Sequence, residues 1–171
     1  LRSRPRSGIH LSKKPKDIDI LFMARLENQK NPVRFLKIIS QITKTKKKLK
    51  IYLIGSGSLE PMIKRYITKN QLQKQIILKP FTLNPADYYQ RSKIFLISSD
   101  HEGFPLTVLE SIAAGCLPVY YSLDEINTFF NYNRYIQYNS INQASQKILF
   151  LLSHPTKVKK ILNLYRPKVL K

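Results

Sequence analysis

Short apolar runs alternate with amphipathic stretches along most of this chain. Ile18 to Ala24 is a continuous apolar run, the pattern of a parallel strand buried on both faces. Leu49 to Ile54, Gln75 to Lys79 and Ile94 to Ser98 repeat it, and Pro118 opens a fifth run. Between the runs lie helical patterns. Phe35, Leu36, Ile39 and Ile42 fall on one side of a predicted helix ending near Thr43. Leu59, Met62, Ile63, Tyr66 and Ile67 mark a second, a stripe read as core rather than as a cofactor box. Asn31-Pro32 and Asn84-Pro85 each read as a helix cap followed by a first turn. Leu123 to Asn139 reads as irregular, and residues 142–152 and 155–165 read as closing helices. Five strands alternating with helices predict an α/β fold. Its sheet is open and parallel, Rossmann-like, with helices on both faces. Ligands of such sheets bind beyond the carboxyl ends of the strands. The loops there hold Arg25 to Lys30, Gly55 to Ser58, Phe81-Thr82 and His101 to Thr107.

The most informative stretch is SSDHEGFPLTVLESIAAGCLPVYYS, from Ser98 to Ser122. Glu102 and Glu110 stand eight residues apart, about 80° beyond two helical turns. A loop bending back before the helix lets both carboxylates flank one pocket. Gly103 permits close backbone approach, and Pro105 suits a first turn that needs no amide donor. The amides of Leu106, Thr107 and Val108 then face an anion site at the helix start. Gly115 is placed to end that helix.

EGFPLTVLESIAAGCLPVY resembles the Glu-seven-residues-Glu motif of GT-B glycosyltransferases of family 4, a retaining group. The resemblance runs from about Ile18 to Leu152 and matches the second, donor-binding domain only. It implies a hexosyltransferase whose nucleotide-sugar donor is a UDP-sugar by family frequency, acting in glycan or polysaccharide assembly without a metal or other cofactor. ARLENQKN resembles the family segment whose Arg and Lys hold the donor diphosphate, with Ala24 in place of the commoner Gly. The resemblance therefore implies that Arg25, Lys30 and Glu102 serve catalysis. Glu110 would accept the ribose hydroxyls, and Gly103, Phe104, Pro105 and Leu106 would contact the sugar with Thr107 near the phosphate. Gly55 and Gly57 would admit the nucleotide, and Phe81 would border the base. The alternatives are solvated charges for Arg25 and Lys30, and ordinary turns for the two glycines.

Charge adds a second theme. Lys and Arg number 30 against 10 acids among 171 residues, a formal charge of +20, which favours an anionic partner. Residues 1–17 are basic and aperiodic and read as a linker from a missing N-terminal acceptor domain or partner subunit, with 18–171 as the binding domain. The same arm makes an anionic membrane surface a further expected partner, at the inner face of a cytoplasmic enzyme. A non-catalytic binding subunit of a split enzyme and a basic nucleic-acid-binding protein are the competing functions; for specific nucleic-acid binding the chain carries no recognisable reading element. His10, His101 and His154 are scattered, and no metal site is predicted. The single cysteine, Cys116, reads as buried packing in a reducing compartment.

Overall fold

The computed structural model describes residues 14–103 and 106–170. The expectations for Phe104, Pro105 and residues 1–13 lie outside them. Six parallel strands form one sheet in the order β3-β2-β1-β4-β5-β6. They are β1 (Ile18–Met23), β2 (Ile51–Ile54), β3 (Ile76–Lys79), β4 (Ser92–Ile97), β5 (Leu117–Tyr121) and β6 (Gln137–Tyr138). The apolar runs form the central strands because parallel strands are covered on both faces. In β1, for example, Ile18, Ile20, Leu21 and Phe22 are all buried.

The helices are α1 (Pro32–Thr45), α2 (Glu60–Lys69), α3 (Pro85–Arg91), α4 (Leu106–Ala113), α5 (Asp124–Phe129), α6 (Ile141–Ser153) and α7 (Pro155–Val169). α1 packs on α2 and α6, while α4 packs on α3 and α7. Right-handed crossovers that run leftward from β1 and rightward from β4 put these two groups on opposite faces. Both predicted Asn-Pro caps are made. Asn31 Oδ1 accepts from the Arg34 amide at 3.0 Å, and Asn84 Oδ1 from the Asp87 amide at 3.4 Å. Gly115 closes α4 with φ +76°, a left-handed angle that glycine adopts without Cβ strain. Cys116 is fully buried beside it, and burial pushes its thiol up to about 12.

One expectation is corrected. Residues 123–139 are not irregular: they contain α5 and the sixth strand, β6. Leu123, Ile126 and Phe130 are buried at helical spacing, but the Asn and Tyr residues around them obscure the stripe. β6 is only two residues long, too short to show a period of its own. Tyr138 fixes it by donating to the Ile97 carbonyl at 2.9 Å, at the end of β4.

Residues preceding β1 are tied to the sheet's amino edge. Asp17 accepts from Arg91 at 2.8–2.9 Å and from Lys50 at 2.7 Å, which holds its carboxyl well below the usual range. A carboxyl depressed in the folded state contributes stability above its unfolded value, near 3.9, that is lost as pH falls further. Asp17→Asn should therefore destabilise the protein by about 1 kcal/mol at pH 7, a modest figure because water screens a group one-third exposed. Urea denaturation at pH 7 and pH 3 checks this. The difference between the two proteins should shrink at the lower pH.

Candidate functional site

β1 and β4 are neighbours at the centre of the sheet, with Leu21 opposite Phe95. The loops leaving their carboxyl ends therefore emerge side by side, and side chains lock them together. The Asp100 amide donates to the Gln29 carbonyl at 2.9 Å. Ser98 Oγ lies 3.0 Å from the Lys30 carbonyl and 2.9 Å from that of Asn31. Arg34, one turn into α1, donates to the Ser98 carbonyl at 2.8 Å and to Asp100 at 2.7 Å. Its guanidinium also lies 3.8 Å over the Tyr121 ring. Asn31, besides capping α1, donates to Asp100 at 3.0 Å. Sequence reasoning missed Arg34 and Asp100 as parts of the site. The only local signal was Asp100 within the Ser-Ser-Asp-His-Glu run, and nothing in that run identifies a partner near 70 positions away.

Within this clamp Lys30 and Glu102 form an ion pair. The ammonium lies 2.9 and 2.8 Å from the two carboxylate oxygens, and the side chains are only 18% and 14% exposed. Ser99 Oγ donates to the same carboxylate. The pair borders a cavity of about 310 Å³ whose floor is formed by Phe22, Phe95 and Ile97 and whose rim includes Leu106 and Thr107. Those two residues open α4, so their amides have no acceptor within the helix. A cation, a carboxylate, a hydroxyl and a helix's positive end thus surround one apolar-floored cavity. Such a set can bind an anion and a polyhydroxylated group next to it.

The other predicted site residues lie around this centre. Arg25 is exposed on the loop after β1 and does not line the cavity. Phe81 is 69% exposed after β3. Gly103 faces open space, with nothing within 4 Å of an added Cβ. Glu110 is exposed on α4, outside the cavity lining. Its charge adds to burial in pushing the Tyr89 phenol of α3 upward. The helical count between the two glutamates does not apply, because α4 begins four residues after Glu102.

Gly55 and Gly57 have a role within the protein. A Cβ on Gly55 would stand 2.0 Å from the Ala24 carbonyl oxygen, and one on Gly57 would stand 2.6 Å from that of Leu26. The glycines let the loop after β2 press on the loop after β1. Glu27 completes that contact, accepting from the Ser58 amide at 3.0 Å and from Ser58 Oγ at 2.7 Å. These bonds hold the Glu27 carboxyl below its ordinary range. An internal carboxylate thus holds the turn just before α2, whereas Leu106 and Thr107 at the start of α4 line the cavity. Among the described residues no three His, Cys, Asp or Glu side chains gather as a metal site.

Comparison with known proteins agrees with this architecture. The family model of glycosyl transferases group 1 matches residues 6–164. Poly(glycerol-phosphate) alpha-glucosyltransferase of Bacillus subtilis is 32% identical over 104 residues, covering 61% of this chain and 16% of that protein. A Campylobacter jejuni N-acetylgalactosaminyltransferase, whose name specifies a diphospho-undecaprenol-linked sugar, is 30% identical over 104 residues, covering 61% of this chain and 28% of that protein. A mutant of S. aureus TarM, crystallised with Fondaparinux, alpha-GlcNAc-glycerol and UDP, superposes with a TM-score of 0.84. It is 20% identical, and the match covers 93% of this chain and 33% of that one. The chain thus spans about a sixth to a quarter of the curated relatives it matches. With the family model covering nearly its whole length, the chain belongs to the glycosyl transferases of group 1.

Proposed function

We propose that residues 18–171 form the nucleotide-sugar-binding domain of a retaining glycosyltransferase, and that residues 1–17 link it to an acceptor-binding domain. The observation that carries this reading is the Lys30–Glu102 pair beside the first residues of α4, on the carboxyl edge of a parallel sheet. When a glycosyl–phosphate bond breaks, negative charge grows on the leaving diphosphate. In this reading Lys30 and the α4 amides stabilise that charge, with Arg25 of the loop after β1 as a second cation. Glu102 binds the sugar and stabilises positive charge at its anomeric carbon. Gly103, Phe104, Pro105 and Leu106 contact the sugar hydroxyls, and Thr107 lies by the phosphate. Glu110 takes the ribose hydroxyls through its two oxygens. Gly55 and Gly57 admit the nucleotide, Phe81 borders the base, and no metal is required.

UDP is the proposed nucleotide, supported by its presence in the TarM crystals. A phosphate-bearing glycan or lipid-linked acceptor is supported by the names of the two relatives. Because the chain spans so little of those relatives, catalysis is assigned to this domain together with an acceptor-binding partner, in the same polypeptide or on another subunit. We place the enzyme at the cytoplasmic face of a membrane, held peripherally. Among the described residues no helix is long and apolar enough to cross one.

Calorimetric titration with UDP, GDP and ADP tests the reading. One nucleotide should bind, and Glu110→Ala should weaken it at least tenfold by removing a charged acceptor from two hydroxyls. Equal affinity for all three, or an unchanged Glu110→Ala, overturns the assignment. Strong DNA binding that falls steeply with salt, without nucleotide binding, favours the nucleic-acid alternative instead.

A further inference from the structure

A cavity larger than the one at the carboxyl edge lies elsewhere in the described residues. A groove of about 660 Å³ opens at the opposite, amino edge of the sheet, between the segment preceding β1, the start of β4, the end of α4 and helices α6 and α7. Five cations line it: Lys14, Lys16, Lys93, Lys159 and Arg166. No carboxylate lines it among the described residues. Nearby acids are already engaged. Asp87 pairs with Lys14, Asp19 with Lys93, and Asp17 with Arg91 and Lys50.

Three of the cations, Lys16, Lys159 and Arg166, have no acid of their own among the described residues. Lys16 donates to the backbone carbonyls of Ser92, Tyr89 and Ala114 at 2.8, 3.3 and 3.5 Å. Arg166 donates to the Ala113 carbonyl at 3.4 Å, and its Nε is buried without a partner among the described residues. Burial is the main cause that lowers the Lys16 ammonium's pKa, and the neighbouring Arg166 adds to it. Lys159 is exposed on α7. Partly exposed apolar lining lies beside these charges, from Leu152 of α6 and from Pro155 and Val158 of α7. Carbonyls satisfy the hydrogen bonds of Lys16 but leave its charge uncompensated, so an anion in the groove removes a standing repulsion.

From this we propose that the groove is a docking site for the phosphate headgroup of an anionic bilayer lipid, with the glycerol and first methylenes against the apolar lining. Charge complementarity and the adjacent apolar lining favour an amphiphilic anion over a small one. In the sequence the basic residues Arg2, Arg4, Arg6 and Lys13 precede Lys14, which lines the groove. The inference rests on the peripheral-membrane reading above and gives it an address. The groove lies on the far side of the sheet from the Lys30–Glu102 cavity, so a docked lipid leaves that cavity open.

Flotation with vesicles of phosphatidylglycerol and phosphatidylcholine, compared with vesicles of phosphatidylcholine alone, tests it on the full chain. The double variant Lys159→Gln/Arg166→Gln should lose about twenty-fivefold in binding to the anionic vesicles, each cation near such a surface being worth about fivefold. Lys37→Gln/Arg65→Gln removes the same charge from exposed positions on α1 and α2, and should change binding less than twofold. Nucleotide titration and a thermal melt of each variant verify that the fold and the opposite cavity persist. Equal losses in the two variants mean a general charge effect and overturn the groove. Loss confined to Arg2→Gln/Arg4→Gln/Arg6→Gln assigns binding to the arm and also overturns it. Millimolar inorganic phosphate displacing the protein from vesicles makes the groove a soluble-anion site and overturns the lipid assignment. No binding by the unmodified chain overturns both the groove and the peripheral reading.

Discussion

Lys30→Met is expected to lower sugar transfer by the complete enzyme about a hundredfold or more, most of it in kcat. The Lys30 side chain is only 18% exposed, and a partly buried charge interaction is stronger than one at the surface. A donor aimed at developing charge commonly contributes a factor of about a hundred to a thousand in rate. The same change strands the Glu102 carboxylate, which keeps only the Ser99 hydroxyl among its hydrogen bonds described above. A loss of about 2 kcal/mol in stability should therefore accompany it. Glu102→Gln should cost a similar amount. The double variant should cost less than the sum, because each single change leaves the other partner uncompensated. Urea denaturation of the three variants reads this coupling, and steady-state kinetics reads the rate. Additive stability losses, or a rate within threefold of the parent, would contradict the ion pair's assigned place in donor binding.

Gly55→Ala should be the most damaging single-methyl change in the protein, costing at least about 3 kcal/mol. The added carbon meets a backbone oxygen at 2.0 Å, and backbone cannot swing aside as a flexible side chain can. Relief requires the loop after β2 to part from the loop after β1, and that separation breaks the Glu27–Ser58 contacts. Gly103→Ala is the matched control. It adds the same carbon into open space and should leave the melting temperature within a few degrees of the parent. Nucleotide-sugar affinity is then the sensitive readout at Gly103, since a Cβ there intrudes only on a bound ligand. A well-folded Gly55→Ala protein would show that the two loops are not in contact.

Strands and long helices were legible in the sequence because parallel strands must be apolar throughout and covering helices must be amphipathic on one side. The Asn-Pro caps were legible because the cap chemistry is local. Lys30, Glu102, Leu106 and Thr107 were singled out by their loops and by resemblance, and the fold brings them to one cavity. What remained hidden depends on partners distant along the chain. No local pattern indicates that Arg34 and Asp100 clamp the two loops, or that Gly55 faces the Ala24 carbonyl. Composition hid α5 and β6, because Asn and Tyr carry little periodic signal and a two-residue strand carries none.

The central pairing of β1 with β4 also has a kinetic consequence. Lys93 and Asp19, at the base of that pairing, are 74 residues apart along the chain. Closing so long a loop is entropically costly and slow, so the two halves of the sheet join late in folding. The pocket between them has no counterpart in either half alone. A nucleotide sugar should consequently leave the refolding rate unchanged and act entirely by slowing unfolding, extending the lifetime of the assembled domain in proportion to donor concentration.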